Sequence, residues 1–351
     1  MNLWSITFAF RLGLGFHALN NEGSDGSNLM QPRRIDVGDI TYDGISGEMI
    51  RHQILENFVN ACRRDGVNNL PLSEGLHPDR GPIGIRAAAH KLDPSKELSN
   101  ENLFPSVRRA IELCAVLDVG GYLAAWNEAG GAGKKYVAEQ AYVDRECAKY
   151  KDADTVKRDS CFDVGWLISE EPQDLTVTQH SAFRSTVAMN SRYGQTMRSN
   201  VYGGVIRADL HRIGTDDYWY LQHGKDRLAI DAVEQGKRQT ALVDSIVNFI
   251  AAPTGAKVAG WAPHVFLTQG VILLMSSRTA PFVSPIAVTL GGGSDKPIQQ
   301  NPGYVDATMK LANKQDAWAW SFTDTGSLLA AGAAATKQLA DVSAKEAPAS
   351  V

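Results

Sequence analysis

The chain has 351 residues, 44% of them apolar and 21% charged, which excludes a wholly disordered protein and allows one large domain or two modest ones. With 35 basic against 39 acidic residues the net charge is −4, which on average argues against a polyanion partner. The four cysteines, Cys62, Cys114, Cys147 and Cys161, show no CxxC pair and no histidine at ligand spacing, so no metal site, no cofactor and no disulfide framework is expected.

The N-terminal stretch lacks a basic n-region and a small-residue cleavage site, and no apolar run reaches the length of a membrane span. A cytoplasmic protein without membrane contact is therefore expected.

Taken in chain order, Leu3–Leu19 alternates and is rich in strand formers, so it predicts a long strand in which Gly13 and Gly15 mark a bend or a close backbone approach. Residues 20–43 read as a polar loop carrying Arg33-Arg34. Ser46 is a good N-cap for a helix to about Arg64, with Ile50, Ile54, Leu55, Phe58 and Val59 on one face. Prolines at 71, 78, 82 and 94 make the following stretch irregular. A helix is expected over Ser106–Val116, a strand over Asp118–Trp126, a polar helix over Lys135–Lys151 and a strand over Cys161–Ser169. Ser199–Ile213 and Tyr218–Gln222 read as a hairpin turning at Gly214. Helix Lys237–Ala251, strands Val265–Met275 and Phe282–Leu290, helix Tyr304–Leu311 and strand Ala317–Phe322 follow. An Ala/Lys-rich tail is expected to be disordered over 344–351.

Without its insertions this order is β-α-β-β-α-β, an α+β fold on the ferredoxin-like or RNA-recognition-motif (RRM-like) plan. The palm is expected over 1–64 and 160–325, with residues 65–159 inserted.

Where the charge sits matters more than its total. Between Leu175 and Ala208 lie Arg184, Arg192, Arg198 and Arg207 and no acid, so this window is +4 and the rest of the chain −8. A second acid-free window, Ser245–Ser294, has Lys257 and Arg278 as its full charges. Arginines interleaved with Phe183, Tyr193 and Tyr202 suit single-stranded nucleic acid: charge for phosphate, π-faces for bases. The rival reading is a basic solvated loop balanced by acids such as Asp216 and Asp217.

The run Asp43-Gly-Ile-Ser-Gly-Glu-Met-Ile-Arg-His52 feeds a turn directly into a helix, where free N–H groups and the helix dipole can seat a phosphate. Ser46 and Gly47 would form that seat, with Arg51 and His52 one turn in, though the same run serves an ordinary capped helix. Pro253-Thr-Gly-Ala-Lys257 presents one lysine beside an acid-free strand. His17 with Asn20, Asn21, Glu22 and Asp25 can be drawn as an acid–base site, although a polar loop has this composition anyway.

Leu19-Asn-Asn-Glu-Gly23, Arg33-Arg34 and Gly44-Ile-Ser-Gly-Glu-Met49 together resemble the DevR-type family, the backbone subunits of type I CRISPR Cascade complexes. Cys114-x-x-x-Asp118-Val-Gly-Gly-Tyr-Leu123, the stretch ending Leu-His-Arg-Ile-Gly214 and Pro253–Lys257 support the resemblance, which covers roughly residues 3–290. It implies a non-enzymatic subunit with an RRM-like palm, inserted fingers at 65–159 and a thumb hairpin, placed by its basic character at 184–200. Copies would polymerise head to tail along the crRNA, beside other Cascade subunits, and present the guide for pairing with target DNA. By position, Asn20 and Asn21 would lie on the RNA path, Ser46, Gly47, Arg51 and His52 at the phosphate seat, and Lys257 at a second contact. Arg184, Arg192 and Arg198 are the RNA-binding candidates of the thumb window. The alternatives are a metal-dependent RNA endonuclease using Asp25 and His17, and a transcription regulator binding duplex DNA.

Overall fold

The computed structural model describes residues 5–19, 21–22, 29–67, 107–125, 155–182, 191–217, 220–221, 224–225, 227–254, 265–276, 279–289, 296–313 and 317–346. It divides into a unit formed by Met1–Ile54, Asp163–Ala208 and Val243–Glu346 and another formed by Leu55–Phe162, Asp209–Leu242 and Ala347–Val351. The expected contacts Asn20, Arg184 and Lys257, the acid Asp25, most of 65–159 and the last five residues lie outside the described residues.

The strands are β1 (Ser5–His17), β2 (Asn21–Glu22), β3 (Leu29–Pro32), β4 (Arg34–Val37), β5 (Ile40–Ile45), β6 (Tyr122–Ala125), β7 (Thr155–Arg158) and β8 (Phe162–Val164). They continue as β9 (Leu167–Pro172), β10 (Leu175–Ala182), β11 (Ser191–Ala208), β12 (Val265–Met275), β13 (Ile286–Val288), β14 (Ile298–Gln300) and β15 (Trp318–Phe322). The helices are α1 (Gly47–Arg64), α2 (Val107–Leu113), α3 (Ala115–Gly120), α4 (Ala232–Ala251), α5 (Tyr304–Asn313) and α6 (Thr325–Glu346).

The first unit is built on a large sheet ordered β15-β12-β1-β11-β9-β5-β4, with each neighbouring pair in that path antiparallel. The fold is mixed α+β. β1, flanked by β12 and β11, is buried along almost its whole length. Ile6, Phe8, Phe10, Leu12 and Leu14 share one face by strand alternation, while Ala9 packs with Val271, Leu273, Met275, Tyr304 and Ala312 on the other. Arg11, on the face of Ala9, can be buried because Glu170 grips it twice, at 2.5 and 2.6 Å, and Gln269 accepts a third bond. That pairing outweighs the desolvation and holds the guanidinium above its ordinary range.

β11 is long enough to do two jobs. Its C-terminal half pairs with β1, from Arg198↔His17 to Ala208↔Ile6, and its N-terminal half pairs with β10, from Leu175↔Arg198 to Ala182↔Ser191. The hairpin predicted at Gly214 is therefore corrected. β11 ends at Ala208, a 3-10 turn (Leu210–Arg212) follows, and the hairpin partner is the Thr/Val-rich β10 on the N-terminal side. Residues 191–200, within the window expected to hold the thumb hairpin, are strand.

Three other expectations change. Residues 20–43 hold four short strands rather than a plain loop, because Ile35, Val37, Ile40 and Tyr42 alternate well enough to pair. The helix predicted at Ser106–Val116 breaks at Cys114, whose Sγ accepts the Leu117 N–H as an N-cap, so Asp118 falls in a helix and the strand starts at Tyr122. The alanine-rich tail forms α6 out to Glu346, its first turn capped by Asp324, which accepts the Ser327 N–H at 2.8 Å.

The second unit is organised around Asp118, fully buried and accepting from Arg158 at 2.6 Å, Arg238 at 2.9 Å and the Gly214 N–H at 2.9 Å. Arg158 also donates to the carbonyls of Asp118, Thr215 and Arg212, and Arg238 to Glu234 and the Ile111 carbonyl. These bonds tie α2, α3, β7, the 3-10 turn and α4 into one body. The resemblance motif Cys114-x-x-x-Asp118 is thus a fold-holding device. Burial raises the Cys114 and Cys161 thiols to about 12, so both stay protonated and unreactive.

Candidate nucleic-acid interface

Two segments carry the sequence signature, the end of β1 and the turn from β5 into α1, and a buried polar network joins them. Leu19 donates its N–H to His17 Nδ1 at 3.3 Å, and its carbonyl accepts from Arg198. Arg198 is paired with Asp43 at 3.4 Å. Asp43 also accepts from Gln173 at 2.8 Å and from the Tyr202 hydroxyl at 3.3 Å, and its own N–H donates to Ser169 Oγ. His17 Nε2 meets the Tyr202 hydroxyl at 2.9 Å, closing the circuit.

Since Nδ1 accepts a bond, the imidazole is the neutral Nε2–H tautomer, donating to Tyr202, which donates to Asp43. Both backbone groups of Leu19 are thereby clamped one residue before Asn20-Asn21, and Asp43 is clamped three residues before Ser46. The network holds Leu19 and the part of β5 that leads into α1. It leaves no room for His17 as a catalytic base, because the ring is fully buried with both nitrogens engaged.

Burial, reinforced by the charge of Arg198, lowers the pKa of His17 well below its ordinary value. Burial raises that of Asp43, with Arg198, Gln173 and Tyr202 pulling against it. For His17 the folded pKa is depressed, so its contribution to stability is fully present above about pH 6.5 and is lost as pH falls toward the folded value. Stability measured by urea denaturation is therefore expected to fall below about pH 6.5 with a slope approaching about 1.4 kcal/mol per pH unit, one proton's worth. His17→Gln should remove that slope; an unchanged profile would assign it elsewhere. Asp43 works in the opposite sense, because its folded pKa is raised and its contribution to stability falls as pH rises.

Arg198, expected on the RNA path, is instead 1% exposed and committed to Asp43 and Leu19 inside the sheet. The phosphate seat is also revised. Ser46 is buried and its hydroxyl accepts the Met49 N–H, a plain N-cap. At Gly47 a Cβ would stand 2.3 Å from the Val164 carbonyl oxygen, so the missing side chain makes room for this chain's own backbone, not for a ligand. Arg51 is half-buried and His52 exposed on the next turn of α1. Asn21 lies in β2 with its backbone paired to Pro32, and Arg192 lies in β11 opposite Ser181 of the β10–β11 hairpin. Of the network partners, Asp43, Ser169 and Gln173 were not singled out as functional from sequence, while Tyr202, expected to offer a π-face to bases, is instead fully buried with its hydroxyl bonded to His17 and Asp43. Of the first three, only Asp43, heading the Gly-Ile-Ser-Gly run, carried a local signal. Among the described residues no three of His, Cys, Asp and Glu are grouped to hold a metal ion, and no helix is long and apolar enough to cross a membrane.

A family model described as "CRISPR-associated negative auto-regulator DevR/Csa2" matches residues 8–294. No curated protein matches the sequence. Similar solved chains include one from a "CRISPR RNA-guided surveillance complex, pre-nicking", 11% identical, with 95% of this chain and 100% of that chain covered and a TM-score of 0.44. Another comes from a "CRISPR RNA-guided surveillance complex", 10% identical, with 95% and 99% covered and a TM-score of 0.42.

Proposed function

The chain belongs to the DevR/Csa2 family of CRISPR-associated proteins, and from that premise we propose that it is a non-catalytic backbone subunit of a Cascade-type surveillance complex. Copies line the crRNA head to tail and present it for pairing with target DNA, while base pairing carries the sequence specificity. The observation that carries this reading is the buried His17–Tyr202–Asp43–Arg198 network, which holds Leu19, next in the chain to Asn20, together with Asp43, three residues before the cap of α1.

The order β12-β1-β11-β9, with α1 between β1 and β9 in the chain and α4 between β11 and β12, supports reading the first unit as an RRM-like palm. The β10–β11 hairpin supports a thumb spanning Leu175–Arg198, longer than 184–200. In this reading the RNA meets Asn20, Asn21, Arg51, His52, Arg184, Arg192 and Lys257, whereas Ser46, Gly47 and Arg198 shape the frame behind them.

The test is purification without nuclease, followed by the ultraviolet absorbance ratio and RNase digestion. Heterogeneous single-stranded RNA in a large particle that collapses on RNase treatment is the expected result. A nucleic-acid-free chain that ignores added guide RNA, or that prefers duplex DNA in direct competition, would defeat the proposal. Metal-dependent cleavage of guide-paired RNA would remove its non-catalytic part.

A further inference from the structure

We propose that Phe16 and Phe266 form a stacking platform for the bases of single-stranded RNA, an inference that rests on the RNA-lining function above and adds a second class of contact to it. Both rings are large apolar groups left in water, Phe16 at 46% and Phe266 at 52% exposure. Phe16 is also held at φ 46°, the left-handed region, which a bulky side chain rarely adopts. Such an outlier persists only where the surroundings over-determine it, and here the Ser199 hydroxyl accepts the Phe16 N–H at 2.8 Å.

The sheet is irregular at both positions. β1 slips register against β11 between Leu14 and His17, around Phe16, and against β12 between Gly13 and Leu14, opposite Phe266. Bulges of this kind re-aim a side chain out of the regular alternation. Gly13 completes the arrangement: a Cβ there would lie 2.6 Å from Phe266 Cε2, so the bare backbone is what lets the ring lie against β1. Strain, bulges and glycine all act to present aromatic surface that the fold itself does not bury.

The occupant follows from the surroundings. Phe16 stands three residues before Leu19, the clamped residue that precedes Asn20 on the proposed RNA path. The strands flanking β1 here, β11 and β12, fall within the two acid-free windows, so neither contributes a carboxylate that would repel a phosphate chain. Flat apolar faces flanked by strands without acids suit bases, which stack on aromatic rings whatever their sequence.

The test uses the full-length chain and a labelled, unstructured single-stranded RNA. Phe16→Gly and Phe266→Leu should each weaken binding about tenfold or more, with the slope of affinity against salt unchanged because no phosphate contact is lost. Phe266→Tyr, which keeps the ring, should bind as wild type. Phe16→Gly should melt at the same temperature as wild type or higher, since glycine relieves the backbone strain, which separates loss of binding from loss of fold. If wild type binds RNA and both ring-deleted variants bind equally well, the platform is wrong while the RNA-lining function stands. If wild type binds no RNA, both fall together. If the variants instead lose RNA-independent self-association, the rings are a protein contact and the inference is overturned.

Discussion

Asp118→Ala is expected to unfold the second unit. The carboxylate is the shared acceptor for Arg158, Arg238 and the Gly214 N–H, all without solvent to replace it. Removing one partner of a buried ion pair costs about 3–5 kcal/mol, because the other charge stays desolvated. Here one deletion strands two cations. Arg238 keeps Glu234, and Arg158 keeps three carbonyls, which softens the loss without cancelling the charge. Against a typical total stability of about 5–15 kcal/mol, the variant should lose protease resistance in α2, α3, β7 and the start of α4 and shift its urea midpoint sharply. A variant that melts like wild type would mean the cluster is held by its carbonyl bonds alone.

Arg198→Met carries the second large effect and separates two readings of the same residue. As an RNA contact, Arg198 could be lost with the fold intact and only the salt dependence changed. Buried against Asp43, its loss should cost about 3–5 kcal/mol at neutral pH. The penalty should also be pH-dependent. Burial already pushes the Asp43 carboxyl up and Arg198 pulls it down, so without the arginine the folded pKa rises further. A raised carboxyl pKa gives a deficit that is present above the folded pKa and disappears below it. The difference in stability between variant and wild type should therefore shrink as pH falls, and urea titrations at several pH values would show it. A constant difference would indicate lost packing rather than a stranded carboxylate.

The same residue shows where sequence reading stops. Counting charge in the window Leu175–Ala208 correctly finds four arginines without a local acid. It cannot find Asp43, brought beside Arg198 by the pairing of β11, β9 and β5. Arg207 likewise pairs with Asp163 at 2.6 Å. Gly47 follows the same logic: glycine at a helix start signals close approach, but whether a phosphate or the Val164 carbonyl approaches depends on where β8 runs. The missed β10 has a different cause, since its alternation of Thr and Val is short and becomes a strand only with the long β11 as its partner.

What the sequence determined by itself is local or additive. The long first strand, the capped α1, strand Val265–Met275 and the helix ending at Ala251 all follow from periodicity and caps within their own residues. The family likewise follows from motif order. The tertiary structure alone decided which polar groups are spent inside the protein and which remain for a partner. Burial and ion pairing are sums over neighbours distant in the chain, and desolvation makes that choice all or none. His17, Arg198 and Ser46 were drawn inward by it, and Phe16 and Phe266 were left outside.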